Sequence, residues 1–174
     1  MDWLKIGPVA CCGRATFVIR ETDIKVICRT RGAVVQMAID PQMNYCVTCD
    51  ASGFVVIVDT KGNRDAGEQI HRAESSSLAW SSKEDIYATG CVDGSFKIVN
   101  IREGRPEEVR AHHAPVHLLA FDPWNRYLVS AGTDKIVYVW GSSKAKPVCG
   151  FVLPSGDQHK VVGHDGRTKP QTGF

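Results

Sequence analysis

His112, Ser130 and Asp134 supply the three side-chain types of a nucleophilic hydrolase: a hydroxyl to attack, an imidazole to take its proton and a carboxylate to orient the ring. Cys46-Val-Thr-Cys49 has the CxxC form that suits zinc and redox sites. His112, His113 and His117 crowd into one segment that suggests a metal cluster, and Cys11-Cys12 is an adjacent thiol pair. Each reading meets an objection in the sequence itself. His71, Thr89 and Asp93 repeat the triad's spacing 41 residues upstream, and an active site is not normally duplicated in register. Cys46 and Cys49 fall within a predicted strand, where residues three apart point to opposite faces, and no second CxxC completes a set of four ligands. Alternation puts His113 on a different side from His112, and neighbouring cysteines share a metal poorly. The chain is therefore read as a non-enzyme with no catalytic residue, no metal and no cofactor.

The spacing that undoes the triad organises the chain. His112–Trp140 (HHAPVHLLAFDPWNRYLVSAGTDKIVYVW) aligns without a gap onto His71–Val99 and, 41 residues earlier again, onto Thr30–Val58. Ala38, Ala79 and Ala120 share a column; so do Thr48, Thr89 and Ser130, then Ser52, Asp93 and Asp134, and then Gly53, Gly94 and Lys135. A fixed period near 40 that keeps small, hydroxyl, turn and β-branched positions in step is the mark of a four-stranded propeller blade. A first strand follows the loop holding Thr30, His71 or His112. A second runs through Tyr45–Thr48, Ile86–Thr89 or Tyr127–Ser130. A third covers Phe54–Val58, Phe96–Val99 or Ile136–Trp140, and outer strands are predicted at Glu107–Arg110 and Pro147–Leu153.

His112, Ser130, Asp134 and Trp140, at this spacing, resemble the buried His–Ser/Thr–Asp–Trp hydrogen-bond network of WD-repeat proteins. A buried indole N–H needs an acceptor, and a hydroxyl, an imidazole and a turn carboxylate can continue the chain. The second repeat keeps His71, Thr89 and Asp93 but has Val99 at the Trp position; the first keeps only Thr48. Within that family the segment GCVDGSFKIVNIREGRPEEVRAHHAPVHLLAFDPWNRYLVSAGTDKIVYVW is similar to the C-terminal propeller blades of rabconnectin (DMX-like) proteins. The shared features are Gly94–Arg102, Ala111-His112 and the Leu119–Pro123 run followed by Tyr127. That resemblance implies a role in vacuolar proton-pump assembly and vesicle traffic.

The 174 residues carry 21 basic and 19 acidic side chains, a net charge of +2 that implies no dedicated nucleic-acid surface. The N-terminal segment lacks the basic-then-apolar pattern of a secretory signal, and no apolar run exceeds five residues, so no transmembrane segment is expected. Seven cysteines, an odd number at mostly strand-like positions, suit a reducing compartment, cytoplasmic or nuclear.

These readings divide the chain into residues 1–29, the end of an incomplete blade with strands at Ala15–Arg20 and Ile24–Cys28; residues 30–153, three repeats; and residues 154–174, a flexible tail that supplies no strands. The expected fold is all-β: a partial WD-repeat β-propeller of about 3.5 four-stranded antiparallel blades. An open half-ring exposes two blade faces, a loss of roughly 10 kcal/mol at about 25 cal/mol per Å². Hence the expected partners are other proteins, including a second chain or a second copy that completes the ring. The expected function is a non-catalytic protein-interaction scaffold, a fragment or subunit of a larger assembly or the non-catalytic propeller of an enzyme complex. Arg31, Arg72 and His113 occupy one repeat position in the loops between blades, a rim suited to an acidic peptide, a phosphate or a carboxylate-rich surface.

Overall fold

Alternating apolar positions bounded by turn residues make strands throughout, and strands are the regular secondary structure of the computed structural model among its described residues, 9–19, 24–42, 44–59, 65–141, 147–153, 160–162 and 168–169. Three consecutive antiparallel meanders form complete blades. The first is β4 (Val34–Ile39), β5 (Tyr45–Asp50), β6 (Phe54–Asp59) and β7 (Asp65–Gln69). The second is β8 (Ser75–Trp80), β9 (Ile86–Cys91), β10 (Ser95–Asn100) and β11 (Pro106–Arg110). The third is β12 (Val116–Phe121), β13 (Tyr127–Gly132), β14 (Ile136–Gly141) and β15 (Pro147–Val152). The inner strands β4, β8 and β12 touch one another in succession, the arrangement of strands lining a propeller axis.

Ahead of them lies a three-stranded sheet of β1 (Val9–Cys12), β2 (Ala15–Ile19) and β3 (Ile24–Arg29), with β3 against β6 and β1 against β4. Met1–Gly13 carries no pattern that predicts an element. Val9–Cys12 is too short to show a period, and it becomes a strand because β2 offers it a ladder from Val9↔Val18 to Cys12↔Ala15. Past residue 153, where no strands were expected, the structure has two short ones. β16 (Lys160–Val162) pairs with β15, and β17 (Thr168–Lys169) pairs with β16, so the third blade's sheet has six strands. Three- and two-residue strands carry no readable alternation; they form by extending a sheet edge that already exists.

Each inner strand bulges once, between Val34 and Gln36, Ser75 and Ser77, or Val116 and Leu118, so the irregularity itself keeps the 41-residue period. Core clusters lie between the sheets. Cys28, Val56 and Val58 sit between the incomplete blade and the first full one. Val47, Val55, Ile70, Tyr87 and Val99 lie between the first and second full blades, and Phe96, Val109, Leu128 and Trp140 between the second and third.

Candidate functional site

The hairpin turns joining second and third strands face the links from one blade to the next, and carboxylates tie the two sets of loops together. In the third repeat Trp140 Nε1–H donates to Ser130 Oγ at 2.9 Å, and Ser130 Oγ lies 2.8 Å from His112 Nε2. His112 Nδ1 is 3.1 Å from both Asp134 oxygens. Direction is set by the Asp134 carboxylate, which only accepts: Nδ1–H points at it, and the neutral imidazole's Nε2 then accepts the Ser130 hydroxyl proton while Ser130 Oγ accepts the indole N–H. Asp134 also accepts the backbone N–H groups of His113 at 3.0 Å and Ile136 at 3.1 Å. Burial pushes its carboxyl pKa up, but those N–H groups and the His112 ring outweigh it and hold the group below its ordinary value. The structure thus brings together all the elements of a hydrolase triad and seals them. Ser130 and the His112 side chain are fully buried, and the hydroxyl is already committed to Trp140 and His112.

The second repeat does not form this chain. His71 Nε2 is 3.0 Å from the backbone carbonyl of Thr89, not its hydroxyl, so the ring carries the opposite tautomer to His112. Thr89 Oγ1 is buried without a hydrogen-bond partner. Asp93 accepts from the backbone N–H of Ser95 at 2.9 Å and its hydroxyl at 2.6 Å. The cause is local: Val99 has no side-chain N–H to offer Thr89, and the Ser95 hydroxyl takes the carboxylate oxygen that Ile136 leaves open to His112 in the third repeat. Burial, followed in size by the opposing Thr89 carbonyl bond and then the Lys97 charge, leaves His71 with a lowered pKa.

In the first repeat the turn column holds Ser52, and Asp50, outside that column, supplies the carboxylate. Its fully buried carboxylate accepts the backbone N–H of Gly32 at 2.6 Å, Ser52 at 2.8 Å and Phe54 at 3.0 Å. Phe54, Ser95 and Ile136 are one register position, so every repeat delivers a carboxylate to the same amide. Only in the first does it come from two residues upstream. The available signal was an acid just before a small-residue turn, Asp50-Ala-Ser-Gly53.

The rim residues Arg31, Arg72 and His113 are all exposed. Arg31 is held: its guanidinium lies 4.1 Å over the Phe54 ring and donates to Gln69 Oε1 at 3.3 Å. Phe54 can lie there because Gly67 has no side chain; a Cβ would meet the ring at 2.6 Å. His113 is fixed through its backbone by Asp134. Two rim positions therefore have an anchored loop.

The remaining candidates separate. Cys46 and Cys49 are buried free thiols on opposite faces of β5, and burial pushes their pKa values up to about 12 and about 11. The described residues hold no group of three or more metal-ligating side chains. His117 sits exposed at the β12 bulge.

Meander blades in register and inner strands in succession define a partial β-propeller, and the buried Trp–Ser–His–Asp chain is similar to that of WD repeats. Residues 105–141 match the family model "WD domain, G-beta repeat". The chain is similar to a Poly(A)+ RNA export protein of Schizosaccharomyces pombe, 24% identical over 77% of this chain and 40% of the relative. It is also similar to an actin-interacting protein 1 of Drosophila melanogaster, 25% identical over 63% and 19%. A third relative is a WD repeat-containing protein 91 homolog of Dictyostelium discoideum, 31% identical over 50% and 12%. The chain thus spans less than half the length of these curated relatives. In fold it is similar to a chain of a mitotic checkpoint complex crystal structure, with a TM-score of 0.72 and 14% identity over 97% of this chain and 66% of that one.

Proposed function

We propose that the chain is a non-catalytic scaffold that holds partner proteins, and that the rim carrying Arg31, Arg72 and His113 is one of its recognition surfaces. The observation that carries the reading is the anchoring of exposed loops to a rigid frame. Asp50 and Asp134 tie the loops at Gly32 and His113 to the adjacent hairpins, and Arg31 is stacked on Phe54. Variable loops on a rigid scaffold do the recognising in such folds, and pre-ordered cations lose little freedom on meeting an anion. The three exposed side chains suit an acidic or phosphorylated peptide. The sealing of Ser130 and His112 supports a scaffold over catalysis.

The test is binding of a fluorescent acidic peptide and its phosphorylated form by the wild-type chain and by Arg31→Glu plus Arg72→Glu, across a salt series. Loss of binding in the variant, and steep weakening with salt in the wild type, is expected. Unchanged binding after both reversals would sink the rim reading.

A rabconnectin-like role in proton-pump assembly rests on the Gly94–Arg102 and Leu119–Pro123 segments, which form β10 and β12 with their following turns. Association with proton-pump subunits in a cytoplasmic extract, dependent on those two turns, is what that version requires.

A further inference from the structure

β3, β7, β11 and β15 are the outer strands of their meanders, and one of them differs in composition. β3 contains Lys25 and Arg29, β7 contains Asp65 and Glu68, and β11 contains Glu107, Glu108 and Arg110. Charges on an outermost strand keep its unpaired N–H and C=O groups from joining a foreign strand. β15, Pro-Val-Cys-Gly-Phe-Val, contains no charge, and its one guard is Pro147 at the first position. Val148 is 58% and Phe151 39% exposed along it.

Among the described residues β15 is also the outer strand that carries a further strand. β16 pairs with it antiparallel, in the register Gly150↔Val162, Phe151↔Val161 and Val152↔Lys160. The backbone N–H of Leu153 donates to the Lys135 carbonyl at 2.7 Å, on the β14 side. Backbone groups alternate along an antiparallel strand, so Phe151 also faces β14, while Gly150 and Val152 turn their N–H and C=O groups outward to Val162 and Lys160. Composition and pairing are separate observations on one edge: it is unguarded, and it accepts an antiparallel strand.

β16 is a small clip. A ladder bond adds little net stability, because the groups it joins are otherwise hydrated, and each residue fixed in the ladder costs backbone entropy. Three residues of pairing set these two effects close to balance, and a longer segment of strong strand formers displaces them.

We infer that the outer edge of β15 is a strand-addition site for an extended, uncharged, β-branched segment of a partner protein, which takes the place of β16 and pairs with the outward groups of Gly150 and Val152. The inference rests on the scaffold reading for the class of partner and concerns a surface apart from the Arg31–Arg72–His113 rim. A second copy of this chain pairing β15 to β15 is a poorer occupant. Pro147 has no N–H to give, and the register shift beside Val148 interrupts such a ladder, whereas a regular segment adjusts to it.

The test is fluorescence anisotropy of the labelled peptide Gly-Thr-Val-Thr-Val-Thr-amide with the full chain, alongside backbone-amide NMR, with an analogue carrying proline at its central valine for comparison. Val162→Pro removes the N–H that the register sets against Gly150 and unseats β16. It should tighten peptide binding about tenfold, because an intramolecular competitor is gone, and the peptide should shift the Gly150 and Val152 amides. Adding Val152→Pro takes away one outward N–H and no bond to β14, and should abolish binding while unfolding stays cooperative. If that double variant does not fold, the amide shifts in Val162→Pro decide alone. Unchanged affinity in Val162→Pro, equal binding of the proline analogue, shifts along β7 or β11 instead, or a Val162→Pro chain that dimerises without taking up peptide each overturn the assignment. Binding of the acidic peptide at the rim would leave the scaffold reading standing in all four cases; a chain that takes up neither peptide sinks both.

Discussion

At the scale of single residues, one hydroxyl column carries two opposite energetic roles. Ser130 Oγ accepts from Trp140 and meets His112, so Ser130→Ala leaves a buried N–H and a buried ring nitrogen without partners. The expected cost is about 2–4 kcal/mol of unfolding free energy. Thr89 Oγ1 has no partner to lose, so Thr89→Val should fall within about 0.5 kcal/mol of wild type or stabilise. Urea denaturation of both variants checks the contrast, and equal losses would contradict it. The histidine of the second repeat also makes a pH prediction. His71 has a folded pKa below its ordinary 6.5, so as the pH falls the unfolded chain takes up that proton first. Stability from His71 is therefore fully present above pH 6.5 and declines as the pH falls from there through the folded value. His71→Gln should flatten the denaturation midpoint between pH 7.5 and 5.5 relative to wild type. Asp134, held below 3.8, contributes stability that is lost only at more acidic pH, as the carboxyl protonates through its folded value.

At the scale of the element, the second-to-third-strand hairpin turns on a single left-handed residue. Gly53, Gly94 and Lys135 occupy one column and have φ of +78°, +86° and +65°. At Gly94 the backbone also passes so close to the His112 carbonyl that a Cβ cannot fit. Gly94→Ala should therefore cost about 2–3 kcal/mol. Lys135→Gly relieves the same conformation and should raise the midpoint, by about 0.5–1 kcal/mol after glycine's own entropy is set against it. Thermal unfolding of the pair measures both signs. The alternation of strands, the turns and the column of left-handed residues were legible because each depends on neighbours within ten residues. β1, β16 and β17 were not, because a strand of two to four residues exists only where a ladder is offered to it.

At the scale of the molecule, the far face of the third full blade carries Leu118, Ala120, Val129, Ala131, Val137, Val139, Cys149 and Phe151, which the ladder places on one side. In the first blade the matching Ala38, Val47, Val55 and Ile57 are packed under the next blade. Here Leu118 stays 44% and Phe151 39% exposed, which is the signature of a face built to be covered. The 174-residue chain by itself is expected to associate through this face. Light scattering should give at least twice the chain mass, and Leu118→Asp with Phe151→Asp should return it to one. A wild-type chain that stays monomeric and unfolds cooperatively would show that the face is tolerated uncovered.

The 41-residue repeat period, the all-β class and the partial-propeller architecture followed from the amino-acid order alone. Each depends on register, and a period of 41 residues transmits register along the whole chain. Tertiary structure alone decided which hydrogen-bond chains close. The columns were the same for His71–Thr89–Asp93 and His112–Ser130–Asp134, yet one donor, Trp140 against Val99, and one competing hydroxyl, Ser95 against Ile136, sent the rings to different acceptors. It also decided that Asp50 reaches the amide its column had assigned to Ser52. Hydrogen bonds and packing are settled by angstrom-scale competition among groups far apart in sequence, and a linear pattern of residue types does not encode which competitor arrives first.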